Sequence, residues 1–214
     1  MSTALVSGNA ICLLYGLVHQ DSVAKLVDRL VGLCGDLEFD SSRLYVEHSI
    51  AFIPANETPF GSSRNDDVVL RLKAPILNES GKLVPLAERR WKLCQELPPE
   101  PPKRRQEGRT KIAPHHRVVY ETEITGDPFR FLQSLGYEFC HEYVRRGYSF
   151  VYEHKLITIT KVYEPAEKYK VSTAALIDPD SVFWMVELTS PRVNQESVPL
   201  AMDEVTKLSS HLQG

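Results

Sequence analysis

Between Asp127 and Tyr163 the hydrophobic period of the chain changes once, from helical to alternating, and this stretch constrains the fold more than any other. Asp127 is placed to accept from the free N–H groups of a first turn, and Pro128 occupies the helical position that needs no donor. Phe129, Leu132 and Leu135 form an apolar stripe, and Gly136 stops the helix. Tyr137, Phe139 and Tyr143 then share one strand face, with His141 between them, opposite Glu138, Cys140, Glu142 and Val144. Arg145-Arg146-Gly147 reads as a turn. Tyr148, Phe150 and Tyr152 alternate with Ser149, Val151 and Glu153, and a tight reversal at Glu153-His154 leads into the β-branched run Leu156–Tyr163. The expectation is one short helix feeding three consecutive antiparallel strands.

The remaining segments extend that pattern. Residues 10–18 are a continuous apolar run that fits a buried strand, although periodicity alone does not separate it from a helix. Asp21 or Ser22 caps a helix with Val23, Leu26, Val27, Leu30, Val31 and Cys34 on one side, ended by Gly35. Strands are predicted over 43–53, 68–73, 91–97, 117–125 and 182–189, and a helix from Pro199 with Ala201, Val205, Leu208 and Leu212 in its stripe. Residues 54–67 and 164–180 are polar loops, and 98–114 is a proline-rich charged loop with no period. In that loop Lys103, Arg104, Arg105, Arg109 and Lys111 suit a solvated surface better than a phosphate or import patch.

About eight antiparallel strands with two or three flanking helices predict an α+β, mainly β fold, closed into a barrel because closure removes exposed edges. A length of 214 residues suits a single domain, 1–214, carrying the 98–114 loop. A net charge of −3 offers no global attraction to nucleic acid or membrane. Cysteines at 12, 34, 94 and 140 lack metal-binding spacing and point to a reducing compartment. No run approaches the ~20 apolar residues of a membrane span. The N-terminus has no positive leader, so an intracellular, cytosolic or nuclear, protein is expected.

The sharpest chemical pattern is charge on strand faces: Glu121, Glu123, Glu187, Arg71, Lys73 and Lys161. Turned inward, they would line a polar tunnel with cations for polyphosphate and carboxylates for a metal. Turned outward, they are the solvent faces of half-buried strands, and that reading weighs more. His115-His116 and Cys140-His141 are adjacent pairs that a strand sends to opposite faces, so neither a chelate nor a nucleophile–base pair follows, and Cys140 is read as structural. Tyr148, Phe150 and Tyr152 form a base-stacking platform less readily than a barrel core.

Two segments resemble a known family, that of Mediator subunit 18, a component of the complex's head module. In 19–38, Arg29, Leu30, Gly32, Leu33 and Cys34 match its R-L-x-G-L-C helix end. Phe131, Leu132, Gly136 and Tyr137 match F-L-x-x-x-G-[YF], and Glu142, Tyr143, Val144, Arg146 and Gly147 match E-[FY]-V-x-[KR]-G. Val186-Glu187-Leu188 follows in order, whereas 98–114 departs from the pattern. The resemblance implies a barrel related to polyphosphate-tunnel hydrolases without their enzymatic role. It further implies a nuclear, non-catalytic structural subunit supporting RNA polymerase II transcription, without a cofactor. The partners it implies are the C-terminal helix of Mediator subunit 8 and subunit 20, with polymerase machinery contacted directly or indirectly. Neither a membrane nor a specific nucleic-acid sequence is expected as a partner. Tyr152, Tyr163, Phe183 and Met185 are the expected partner-interface residues, since interface cores favour aromatics and methionine. The alternative is a metal-dependent triphosphate tunnel hydrolase with Glu121, Glu123 and Glu187 on metal and Arg71, Lys73 and Lys161 on phosphate.

Overall fold

The computed structural model describes residues 9–35, 43–55, 68–78, 80–100 and 113–212. Its strands are β1 (Ala10–His19), β2 (Leu44–Pro54), β3 (Leu70–Pro75), β4 (Trp91–Glu96), β5 (His115–Ile124), β6 (Tyr137–Tyr152), β7 (Lys155–Pro165), β8 (Ala174–Leu176) and β9 (Phe183–Thr189). Three helices accompany them: α1 (Gln20–Cys34), α2 (Pro128–Ser134) and α3 (Val198–Leu212). The strands run β6-β2-β3-β4-β5-β1-β9-β7, and β6 pairs with β7 to close an eight-stranded antiparallel ring, with β8 added beside β7. Charged residues 103, 104, 105, 109 and 111, and most of the 54–67 loop, lie outside the described residues.

Alternation decides what each strand offers to the helices. Cys12 and Leu14 of β1, Phe150 of β6, Ile157 and Ile159 of β7, and Val186 and Leu188 of β9 point outward into one core. α1 covers it with Val23, Val27 and Leu30, and α3 with Val198, Ala201, Val205 and Leu208. Each fully buried valine or leucine contributes roughly 1.5–3 kcal/mol, so the stripe holds α3 to the barrel more firmly than its own turns hold it together. Tyr148, Phe150 and Tyr152 belong to this core, which removes them as a base-stacking platform. A second core joins Ile50, Phe52, Leu72, Trp91 and Leu132 beneath α2. Asp127 Oδ1 accepts from Phe129 and Arg130 N–H at 3.0 and 3.1 Å, which makes the cap of α2 the one predicted.

Several expectations are corrected. Arg145-Arg146-Gly147 is no turn: β6 runs unbroken for 16 residues, pairing with β2 along one edge and with β7 along the other. The reversal at Glu153-His154 is real, and both residues adopt positive φ, 46° and 67°. The register of β2 on β6 slips at Ala51/Phe52, where Ala51 faces His141 and Phe52 faces Phe139, so Cys140 is an extra residue in a β-bulge. The bulge switches the faces: Phe139 packs in the second core, Tyr143 points the other way, and Glu142 and Val144 become buried. It also leaves Cys140 exposed, with its Sγ 3.4 Å from His141 Nδ1, contrary to its reading as structural and to the expected opposite orientation of the pair. Residues 164–180 contain a 3₁₀ turn (Val171–Thr173) and β8. His19, whose Nδ1 accepts from Asp21 N–H at 3.3 Å, caps α1 in place of Asp21 or Ser22. Leu135 is exposed beyond the stripe of α2.

Candidate functional site

The strand faces opposite these cores point into the barrel, and they are polar. Cross-strand neighbours inside the ring include Tyr15 opposite Glu187, Arg145 opposite Glu47, Lys73 opposite Ser49, and Cys94 opposite Glu121. Arg145 is the hub. Its Nη2 donates to Glu47 Oε1 and to the Tyr45 hydroxyl, both at 2.8 Å, and its Nη1 donates to Glu187 Oε2 at 3.0 Å. Glu47 lies on β2 and Glu187 on β9, which are not neighbours in the ring, so this guanidinium spans the lumen. Burial alone would lower the Arg145 pKa, but Glu47, Tyr45 and Glu187 outweigh it and hold the guanidinium above its ordinary range.

A second network sits toward β3, β4 and β5. Glu96 accepts from Lys73 and, at 2.8 Å, from Arg117. Burial pushes the Glu96 carboxyl up, yet Lys73 and Arg117 hold it below the usual carboxylate range. Glu121 contacts Lys92 at 3.0 Å and Arg192 at 3.2 Å, and is likewise held low by them against its burial. Cys94 approaches the same carboxylate, and burial pushes its thiol up to about 12. Several donors and hydroxyls in the lumen are buried without a partner: Arg145 Nε, Arg117 Nε, Ser49 Oγ, Thr158 Oγ1 and Thr160 Oγ1.

The inward reading of charge therefore holds for Arg71, Lys73 and Glu187, which share the inner face half-buried, and Glu121 lies on that face of β5 but is exposed. Lys161 faces the other way, with Nζ 5.5 Å from the Trp184 ring and 3.0 Å from the Ser181 carbonyl. Glu123 is exposed beside Lys92. The inner carboxylates are spoken for by protein cations, in separate networks. Among the described residues no three His, Cys, Asp or Glu side chains gather as a metal site. Sequence reasoning missed Arg145, Glu47, Tyr45 and Glu96, because their meeting depends on the register of strands up to a hundred residues apart.

An open cleft of about 430 Å³ leads into the lumen between β1, β6, β7 and β9, walled by Tyr15, Tyr143, Val162 and Met185, with Arg145 and Glu187 within it. Met185, one of the four expected interface residues, lines this cleft. Phe183 is its neighbour on the same face of β9, exposed, with its ring edge-on to His19 at 5.7 Å. Tyr152 packs half-buried against the core under α1 and α3. Tyr163 lies in a third cluster with Ile76 and Val144, capped by Arg146 at 4.7 Å. The structure thus brings Phe183 and Met185 together and sets the other two apart.

The Med18 protein family matches residues 62–214. The chain belongs to the Med18 family. Mediator of RNA polymerase II transcription subunit 18 of Yarrowia lipolytica is 34% identical over 92 residues, which are 42% of this chain. That match spans 38% of the Yarrowia protein, well under half its length. A chain in the structure of the Schizosaccharomyces pombe Mediator head module superposes with a TM-score of 0.72 at 19% identity, covering 95% of this chain and 94% of that one. The PH1819 protein of Pyrococcus horikoshii OT3 superposes at 0.52 with 15% identity, covering 95% and 90%. At those identities the likeness is one of fold, and the closed eight-stranded ring is what this member of the Med18 family shares with both.

Proposed function

We propose that this chain is a non-catalytic structural subunit of the Mediator complex, acting in the nucleus through protein–protein contacts that support RNA polymerase II transcription. The observation that carries this reading is the family match over most of the chain. The lumen supports it: a tunnel hydrolase needs gathered carboxylates for metal, whereas Glu96, Glu47 and Glu187 are bound to Lys73, Arg117 and Arg145 in separate networks, which leaves Arg71 as a lumen cation with no ion pair among the described residues. The proposed partners are the C-terminal helix of Mediator subunit 8 and Mediator subunit 20. Phe183 and Met185 at the lumen mouth, and the part-exposed edges of Tyr152 and Tyr163 on the outer surface, are the proposed contacts.

Coexpression with subunits 8 and 20 tests the reading. The expected result is a stable three-chain species on gel filtration. A folded chain that captures neither partner sinks it. Metal-dependent release of phosphate from nucleoside triphosphate or polyphosphate, abolished by Glu121→Gln, would revive the hydrolase.

A further inference from the structure

The ring is closed at the level of Ala10–Leu13, but beyond Leu13 β1 and β5 part. β1 pairs with β5 only over those residues, whereas its other edge pairs with β9 through to His19. The bonds at the start of β1 fix which way its later backbone groups point. The Asn9 carbonyl accepts from the Val119 N–H on the β5 side, and the Cys12 carbonyl accepts from the Ser190 N–H on the β9 side. Odd residues of β1 therefore address β5 and even residues address β9. The N–H and C=O groups of Tyr15 and Leu17 point into the gap, and among the described residues no backbone group pairs with them. The last β5 residue beside them is His115, whose imidazole stacks on the Tyr15 ring at 5.5 Å.

Nothing in the sequence guards this edge. Natural sheets blunt a free edge with a charge, a proline or a bulge, yet Leu14–Val18 holds no charged residue and no proline, and its register on β9 is unbroken. One face of the β1–β9 ribbon is covered, since Val18 and Trp184 pack on the core under α1. The other face is bare: Leu17 is 72% exposed beside Met185, and Phe183 is exposed beside His19.

We propose that the open edge of β1 takes up an extended segment of a Mediator partner as an added strand. The inference rests on the reading of the chain as an assembly subunit and names the mode of its contact. A docked helix satisfies its own backbone and would leave the Tyr15 and Leu17 groups desolvated without partners, whereas an extended backbone offers each a donor or an acceptor. Every second residue of that segment is apolar, because it widens the bare face made by Leu17, Met185 and Phe183. The open stretch is about 17 Å long at ~3.4 Å per residue, room for one short strand. That is far less surface than the ~1,200–2,000 Å² a stable dimer of this chain needs, so the strand belongs to a partner that is also held elsewhere.

The test reads hydrogen exchange at single backbone amides of the full chain, alone and in a complex coexpressed with Mediator subunits 8 and 20. In the free chain the Tyr15 and Leu17 amides should exchange fast, while Leu14, Gly16 and Val18, which address β9, exchange slowly. In the complex Tyr15 and Leu17 should slow at least about tenfold, the worth of one hydrogen bond, which erases the alternation. Slow Tyr15 and Leu17 amides in the free chain, or an alternation that survives in the assembled complex, overturns the added strand and leaves the subunit reading intact. Failure of any complex to form overturns both. As a second measurement, Leu17→Pro removes an N–H that the fold does not use, a place where an edge strand tolerates proline. It should melt close to the parent and weaken partner affinity more than Leu17→Ala, which keeps the N–H; equal losses would overturn the proposal. A photo-crosslinking amino acid at Leu17 names the occupant. A partner peptide with apolar residues at alternate positions is expected, and an adduct on a second copy of this chain or on its own residues 101–112 overturns the assignment.

Discussion

His48 has no solvent exposure, so both of its ring nitrogens must find partners within the protein. Arg89 Nη1 can only donate, and it lies 2.8 Å from Nδ1, which fixes the proton on Nε2. Nε2–H then donates to Glu142 Oε2 at 2.6 Å, and the other Glu142 oxygen accepts the Tyr169 N–H at 2.7 Å. One imidazole thus joins β2, β6, the segment before β4 and the turn after β7. His48→Leu would strand a buried carboxylate oxygen and a guanidinium N–H, a loss of about 3 kcal/mol. Urea unfolding of that variant checks it, and an unchanged midpoint would remove the network from the account of stability. Glu96 gives a second prediction at this scale. Its folded pKa lies below its ordinary value of 4.5, so its pairing with Lys73 and Arg117 contributes fully above that value. The contribution is lost as pH falls below 4.5 and the carboxyl protonates in the folded state. Glu96→Gln should therefore lower stability at neutral pH and flatten its fall in acid, as read from melting temperatures between neutrality and strong acid.

At the scale of elements, β6 carries the largest departure from expectation, and Gly147 explains it. A Cβ built on Gly147 would lie 1.9 Å from the Ile159 carbonyl oxygen of β7, so glycine is there for close approach of two backbones and not for a turn. Gly147→Ala must push β6 and β7 apart where they close the ring, and should cost about 3 kcal/mol. For a chain of this size that is a fall of about 6–12 °C in melting temperature; a variant that melts with the parent would refute the close approach. The cap of α2 and the reversal at Glu153-His154 were legible because local residues settle them: Asp-Pro at one, and a strand pair too close for anything else at the other. The run Arg145-Arg146-Gly147 was not legible, because its alternation is intact but both faces are polar at that point. Arg145 turns into the lumen toward Glu47, and Arg146 turns out across Tyr163. The bulge at Cys140 was equally hidden, since an inserted residue shows itself only against the partner strand.

At the scale of the whole molecule, a barrel with a charged lumen defeats the rule that polar faces meet water. Lys73 and Glu187 alternate with apolar neighbours as solvent-facing residues would, and only closure of the ring decides that they face its lumen. The eight-strand count was met through a compensation, since the split of β6 into two offset the uncertain assignment of β1. The β6–β7 closure is local, but the ring is also held by distant parts of the chain. β1 pairs on one side with β5 and on the other with β9, and the Cys12 N–H donates to Ser190 Oγ across 178 residues at 2.9 Å. Contacts of that separation make folding slow, because loop entropy is lost before they form. A stopped-flow experiment should show tryptophan burial at Trp184, on β9, completing only in the slowest phase; a single fast phase would contradict this. During synthesis the consequence is a period of waiting. The apolar face of β1 and its unpaired edge emerge from the ribosome long before β9 and α3 exist to cover them, so the nascent chain carries an uncovered strand until its last strand arrives.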